Sequence, residues 1–529
     1  MPQPEPSASL AKPVARIGGA TLVSRLLGFA RDLLIARIFG ATQATDAFFV
    51  AFRIPNLMRR LFAEGAFAAT LVPILTHVSH EDPHQARTRA LIGDFAGSLS
   101  ALLLLLSALG LVAAPVLVLL LAPGFSADAS QQQLSIALVR LTLPYLWFVG
   151  LTALAGAVLN TFEHFAIPAI TPALLNLSLI GCMLLLAPHL EQPIFALAWG
   201  VLLGGIAQLA LQLMALARMQ LLVIPRVNWQ HPAWQGFLRA LGPTLIGMSV
   251  TQINLLLDTL LASLLITGSI SWLYYAERLM DFPLGILGAA LGTAILPRLS
   301  RTHRCGDTQD FTTTLDWALR WVLVLGLPAA AGLLVLAEPV ITTLFYSDQF
   351  NAADVRAARS ALMAYALGLP GFLAFKIIVP SFFSRADRRT PLRIGLLTIA
   401  LNLLLGLLLM GPLGQAGLAL ATSLAASGGA ILLLRALRPA PGAHQLKPGW
   451  PALLARVLLS TLMMGAVLGW LGAHPFFEPL SASGAIAPDA ENRAFAAQIA
   501  LLSTLILTGA LSYGAFFLTL GGRLRQLFP

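Results

Sequence analysis

The sequence is poor in charge. Only 11% of its 529 residues are Asp, Glu, Lys or Arg, against about 25% in a soluble globular domain. Hydrophobic residues make up 57%, and mean hydropathy is +0.81. There is too little polar sequence to cover a water-soluble fold. The apolar runs are about 20 residues long rather than short and alternating, which excludes a β-barrel and leaves an all-α integral membrane protein. Cysteine is scarce too. Cys182 and Cys305 stand far apart without a CxxC pattern, so neither a disulfide framework nor a thiolate metal site follows. The nine histidines are scattered without metal spacing. There is no Walker A loop, no HExxH and no Gly-x-Ser-x-Gly elbow, so direct ATP use and the common hydrolase chemistries are excluded. The opening MPQPEPSASLAKP lacks the apolar core of a signal peptide, and no cleavage is expected. The net charge of +10 does not point to nucleic acid. Most of the basic residues lie in short loops, where they set membrane topology.

What is present is a long series of apolar segments. Fourteen transmembrane helices are expected, at about 14–38, 45–78, 90–122, 132–160, 166–187, 193–219, 236–266, 270–300, 311–337, 355–382, 391–410, 414–437, 451–473 and 494–520. The loops alternate. Those at 39–45, 122–131, 187–193, 266–270, 338–354 and 410–415 carry no Lys or Arg. Most of the intervening loops are basic, with Arg87 and Arg89, then Arg218, Arg226 and Arg239, then Arg298, Arg301 and Arg304, then Arg385, Arg388, Arg389 and Arg393, then Arg435, Arg438 and Lys447. By the positive-inside rule the basic loops and both termini are cytoplasmic. An even number of spans agrees with that.

The chain also repeats itself. FFVAFRIPNLMRR in the second span echoes WLYYAERLMDFP in the eighth, with Ala51 on Ala276 and Arg53 on Arg278. Six spans separate the copies, so the repeats share one orientation. The expected architecture is two parallel six-helix lobes, 1–219 and 220–437, followed by 438–529, a linker and two further helices. Parallel lobes with a site at their interface suit alternating access.

The informative stretch is 24–64, SRLLGFARDLLIARIFGATQATDAFFVAFRIPNLMRRLFAEG, with six arginines and three acids. Each charge at a bilayer centre costs about 2.5–3.5 kcal/mol on insertion scales. Such residues must face protein or a watered cavity, and arginine's excess makes that cavity positive. Arg25 and Arg31 lie roughly 13 and 22 Å in from Arg16 at 1.5 Å per residue. Arg37 reaches the outer interface and is read as snorkelling. Arg31–Asp32 is either a structural ion pair or part of a site. Asp46, Arg53, Arg60 and Glu64 share one helical stripe, and Arg60–Glu64 is an i,i+4 pair. Arg59 lies off that stripe, and Pro55 resets the phase, so periodicity does not choose between Arg59 and Arg60. In the eighth span Glu277, Arg278 and Asp281 follow two tyrosines. Several guanidinium forks match phosphate oxygens, so the expected ligand is a polyprenyl diphosphate or a similar polyanion, and a cationic drug is excluded. Asp258, near Asn254 in mid-span, must be protonated, hydrogen-bonded or bound to a cation. Asn402 and Asp387 are candidate contributors to a cation site there.

SRLLGFARD, IFGATQATDAFFVAFRIPNLMRRLFAEGAF and YYAERLMDFPLGI closely resemble the MurJ (MviN) family of lipid II flippases, in the multidrug/oligosaccharidyl-lipid/polysaccharide exporter superfamily. The resemblance implies a multi-pass protein of the bacterial inner membrane that is a transporter rather than an enzyme. Its substrate would be lipid II, the undecaprenyl-diphosphate-linked disaccharide-pentapeptide of peptidoglycan synthesis. The alternative is another polyprenyl-diphosphate-linked oligosaccharide. The family's cavity arginines fall on Arg25, Arg31, Arg59 and Arg278, which favours Arg59 over Arg60. Ser24, Arg53, Asp46, Arg60 and Glu64 match positions near that cavity, and Asp32 and Glu277 are read as ion-pair or gating groups. The last two helices would form a groove for the lipid tail. Some relatives bind sodium around the acid corresponding to Asp258. No cofactor is expected beyond Na+ or H+ as coupling ion. The partners implied are lipid II, membrane lipid and, as an open question, the cell-wall synthesis or division machinery.

Overall fold

The structure is a computed structural model. It describes residues 11–63, 66–82, 85–304, 308–385, 387–437, 449–474 and 491–522. These residues form seventeen α-helices and two short 3-10 turns, with no strand among them. In chain order the helices are α1 (Ala11–Phe39), α2 (Gln43–Ala63), α3 (Ala66–Glu81), α4 (Ala86–Val112), α5 (Ala114–Leu121), α6 (Ala129–Thr142), α7 (Tyr145–Thr161), α8 (Ala166–Leu185), α9 (Phe195–Arg218), α10 (Pro232–Ser263), α11 (Ser269–Arg304), α12 (Thr308–Val335), α13 (Ala337–Phe345), α14 (Ala352–Ser384), α15 (Arg389–Ala436), α16 (Trp450–Gly472) and α17 (Glu491–Thr519).

The expected all-α class holds, and the helix breaks follow local chemistry. The third expected span is two helices, α4 and α5, parted at Ala113 just before Pro115. The fourth is α6 and α7, parted at Leu143–Pro144. Proline has no N–H to give and disfavours helix in the residue before it. α15 runs for 48 residues but turns at Gly414, with φ 56° and ψ −133°. Its arms lie side by side. Thr422 Oγ1 donates to Asn402 Oδ1 at 3.2 Å, although 20 residues of straight helix would part them by about 30 Å. This is the turn expected between the eleventh and twelfth spans, made by one left-handed glycine.

Among the described residues, ten helical stretches are long and apolar enough to cross a membrane, and the α15 hairpin counts as one of them. α1, α10 and α11 are not in that set. α1 carries Arg25, Arg31, Asp32 and Arg37, and α11 carries Glu277, Arg278 and Asp281.

The chain divides into two compact units, Met1–Leu264 and Leu265–Pro529. In the first, α3, α4, α7 and α10 enclose an aromatic core of Phe67, Phe95, Trp234 and Phe237. Phe67 and Phe237 meet edge to face at 5.0 Å, and Phe95 meets Trp234 at 5.4 Å. α10 therefore packs with the helices before it, and the first unit runs past residue 219. In the second unit α14 packs along α11, α12 and α15. α16 and α17 lie against α12 through Val324, Leu453, Val457 and Phe517. Asp316 fastens α16 there. Its carboxylate receives Trp450 Nε1 at 2.7 Å and Arg320 Nε at 2.7 Å.

The turn that aims α2 is closely tied. Gly40, with φ 64°, ends α1 and returns its N–H to the Ala36 carbonyl. Thr42 caps α2, its Oγ1 accepting from Thr45 N at 3.3 Å. Gln43 Nε2 donates to Asp128 Oδ2 at 2.5 Å, and Asp128 caps α6 by accepting from the N–H groups of Ser130 and Gln131. Hydrogen bonds from the Ser130 side chain, then from Gln43, hold the Asp128 carboxyl below its ordinary 3.8. A depressed folded value means stability that is present above 3.8 and lost as pH falls through the folded value. Thermal unfolding across acid pH should therefore fall less steeply for Asp128→Asn than for the parent, and the two curves should converge at the acid end.

Candidate functional site

The buried charge of α1 is matched almost within one residue. Asp32 is fully buried and Arg31 is 7% exposed. Arg31 Nε and Nη2 donate to Asp32 Oδ1 at 2.9 and 2.5 Å. Arg31 Nη1 donates to Asn176 Oδ1 of α8 at 3.0 Å, and its guanidinium carbon lies 5.9 Å from the Phe52 ring centre of α2. Asn176 Nδ2 in turn donates to the Ser24 main-chain carbonyl at 3.1 Å. One amide thus spans two turns of α1 and ties them to α8. Of the two readings open for Arg31–Asp32, the geometry is that of an ion pair. Asn176 was not foreseen. Its only sequence signal is an amide in the apolar run PALLNLSLI.

Arg25 is different. It is exposed and has no hydrogen-bond or ion-pair partner among the described residues. It lies six residues before Arg31 on the same helix, in the turn that Asn176 holds by the Ser24 carbonyl.

On α2, Asp46 sits in the first turn, 2% exposed, where an acid suits the positive end of a helix. Arg53, Arg59 and Arg60 are half-buried. Arg59 Nη2 donates to Asn56 Oδ1 at 3.0 Å, while the buried Nε of Arg53 has no hydrogen-bond partner. Glu64 lies outside the described residues. α2 is held by packing on α6 and α7.

On α11, Glu277 and Arg278 are half-buried. Their rotational phase is set from the preceding turn. Trp272 Nε1 donates to Asp354 Oδ1 at 2.9 Å, and Tyr275 packs on Phe345 and Phe350. Asp354 is itself held in a capping box with Asn351 at the start of α14. Ten residues past Arg278, the stem of Lys376 of α14 lies against Gly288, and Lys376 is exposed. This lysine within an apolar helix is a second residue that the sequence reading passed over.

The candidate cation ligands fall in different units. Asn254 and Asp258 are one turn apart on α10, and Asn254 Nδ2 donates to Asp258 Oδ2 at 3.3 Å. Asn402 is in the α15 hairpin, where it accepts from Thr422. Asp387 caps α15 through the N–H groups of Arg389 and Thr390. Among the described residues no cluster of three or more His, Cys, Asp or Glu could hold a metal ion.

The fold defines a class first. A solved inward-facing multidrug resistance MATE family transporter of the MOP superfamily aligns over 78% of this chain and 93% of its own, with a TM-score of 0.65 and 14% identity. That likeness is one of fold, the many-helix fold of a membrane transporter. A solved lipid II flippase MurJ in an inward closed conformation aligns over 94% of this chain and 97% of its own, with a TM-score of 0.77 and 25% identity. The sequence model described as Lipid II flippase MurJ matches residues 35–479. A Vibrio cholerae protein described as a probable lipid II flippase MurJ is 40% identical over 519 residues, 97% of this chain and 96% of that one. The chain belongs to the lipid II flippase MurJ family.

If Arg31 is chiefly a partner for Asp32, its loss is costly. Arg31→Ala should lower unfolding stability by about 3–5 kcal/mol, because it strands a buried carboxylate. Asn176→Leu should cost about 1.5–3 kcal/mol, the range for a hydrogen bond to a charged group. In the Arg31→Ala background the Asn176→Leu cost should shrink, since the two share one network. Thermal unfolding of the purified single and double variants measures all three.

Proposed function

We propose that this chain carries lipid II from the cytoplasmic to the outer leaflet of the bacterial inner membrane by alternating access. The family is one of flippases, so the chain is a transporter and not an enzyme. The observation that carries the mechanism is the contrast within the helix charges. Arg31 is spent on Asp32, whereas Arg25 is exposed without a partner among the described residues, and Arg53 keeps a buried Nε unbonded. A buried N–H without a partner is costly, so a site that keeps one has a use for it. A diphosphate supplies the missing acceptors, and guanidinium forks bind it bidentately.

In this account Arg25, Arg53 and Arg59, and separately Arg278 of α11, are the arginines offered to the diphosphate head, with Ser24 and Arg31 supporting the α1 face. Asp46, Arg60, Glu64 and Glu277 trade partners as the cycle proceeds, while Asp32 stays paired with Arg31. The prenyl tail stays in lipid along α16 and α17, whose outward faces are apolar at Leu462, Trp470 and Leu511. Counting the α15 hairpin twice and adding α1, α10 and α11 to the ten apolar stretches gives fourteen crossings, with both termini cytoplasmic. The internal echo divides them into six-helix lobes at 1–219 and 220–437, with 438–529 as the appended pair. A tight clamp would trap its product, so release must be driven. Na+ or H+ at Asp258, with Asn254 one turn away, would couple the cycle to a gradient. One charge crossing 100 mV is worth about 2.3 kcal/mol.

The test is outward movement of lipid II in cells depleted of their own flippase. The parent chain should restore it. Arg25→Ala, Arg59→Ala and Arg278→Ala should each insert normally and fail. Full growth with Arg278→Ala would sink the clamp. Lipid II accumulating inside despite the inserted parent chain would move the assignment to another polyprenyl-diphosphate-linked sugar.

A further inference from the structure

The connector between α9 and α10 is not a free loop. Residues 221–228 carry no regular secondary structure and run along the first turns of α4. Arg226 N donates to the Gly93 carbonyl at 2.9 Å. Asn228 N donates to Ser98 Oγ at 2.9 Å, and Asn228 Nδ2 donates to Asp94 Oδ2 at 2.8 Å. Arg89 Nη2 reaches the Gln220 carbonyl. The main chain of Arg226 passes so close to Gly97 that a Cβ there would collide with it. Extended backbone is tolerated near lipid only when its polar groups find partners in the protein. The contacts with α4 supply them at Arg226 and Asn228.

The side chains alternate. Leu221 is fully packed and Val223 joins the aromatic core, while Leu222 and Ile224 point away. Ile224 is 80% exposed, Val227 57% and Trp229 44%. Around them Arg87, Arg89, Arg218, Arg226 and Arg239 are exposed. Of the nearby acids, Asp94 accepts from Asn228, and Asp82 accepts from the N–H and hydroxyl of Thr88 and also feels the charge of Arg87. An apolar row with a tryptophan, ringed by exposed arginines that outnumber the nearby acids, is the composition that lies in the headgroup region of a membrane.

We propose that residues 221–229 form an interfacial strap. Ile224 and Val227 enter the lipid at the headgroup–acyl boundary, Trp229 lies at its edge with one side against Trp234 of the core, the surrounding arginines meet lipid phosphates, and α4 holds the strap at that depth. The occupant is the lipid surface itself. The proposal rests on the chain being a multi-pass membrane protein and not on its substrate.

The experiment places a fluorophore at Ile224→Cys in a background with Cys182→Ser and Cys305→Ser, using the full chain in vesicles of phosphatidylglycerol and phosphatidylcholine. Shallow doxyl-labelled lipid should quench it strongly, deep doxyl-labelled lipid weakly, and aqueous iodide weakly. Raising the phosphatidylglycerol fraction should deepen the lipid quenching, and high salt should remove that increment. Iodide quenching with no lipid quenching would mean that the strap faces water and would overturn the proposal. Protection from both quenchers would mean that protein covers it, which also overturns it. Gly97→Ala adds a methyl where the strap passes and raises the helix propensity of α4. It should convert lipid quenching into iodide quenching. Asn228→Ala is the second release variant if Gly97→Ala does not fold. Unchanged lipid quenching after either release would refute the role given to α4.

Discussion

The cost of charge inside apolar helices governs this molecule. A lone ion in a low-dielectric interior loses several kcal/mol of hydration even after relaxation. Three arrangements meet that cost here. Arg31 and Asp32 neutralise each other and share Asn176. Asp316 and Arg320 do the same one turn apart on α12 and recruit Trp450, whose ring lies 5.6 Å from the Arg320 guanidinium carbon. Asp258 takes an amide from its own helix. In the first two cases a charge pair becomes a fastener, because its remaining donors and acceptors reach the next helix.

Close helix approach is the second requirement. Lipid gives helices no hydrophobic reason to associate, so packing and small residues must provide it. Gly204 of α9 lets the α8 backbone near, with a built Cβ only 3.1 Å from the Leu175 Cα. Gly371 of α14 admits Ser427 of the α15 hairpin in the same way. Breaks at Ala113, Leu143–Pro144 and Gly414 interrupt long helices without unpacking them.

Much of the fold was legible because the membrane imposes a length on its helices. Runs of about 20 apolar residues and alternating basic loops gave the helical class and most helix positions. The breaks inside runs were less visible. Pro115 and Pro144 mark two of them, yet hydropathy passes smoothly across both. The charged stretch was visible at once, since Arg25, Arg31, Asp32, Arg53 and Arg59 stand against an apolar background. Their partners were not. Asn176 is 145 residues from Arg31 and looks like any amide in a helix. The strap over α4 was read only as a basic loop, because exposed leucine and isoleucine beside arginine have no periodic signature in so short a piece. Sequence separates helix from loop well here. It does not report which of several arginines has already been neutralised.

The proposed diphosphate recognition has a direct measurement. Purified protein would be titrated with undecaprenyl diphosphate and with undecaprenyl monophosphate, which share a tail and differ in head charge. The account predicts tighter binding of the diphosphate, with the preference lost in Arg59→Gln and Arg278→Gln and kept in Trp450→Phe. Equal binding of the two lipids by the parent chain, or an unchanged preference in both arginine variants, would contradict the claim that these cations are kept for a diphosphate.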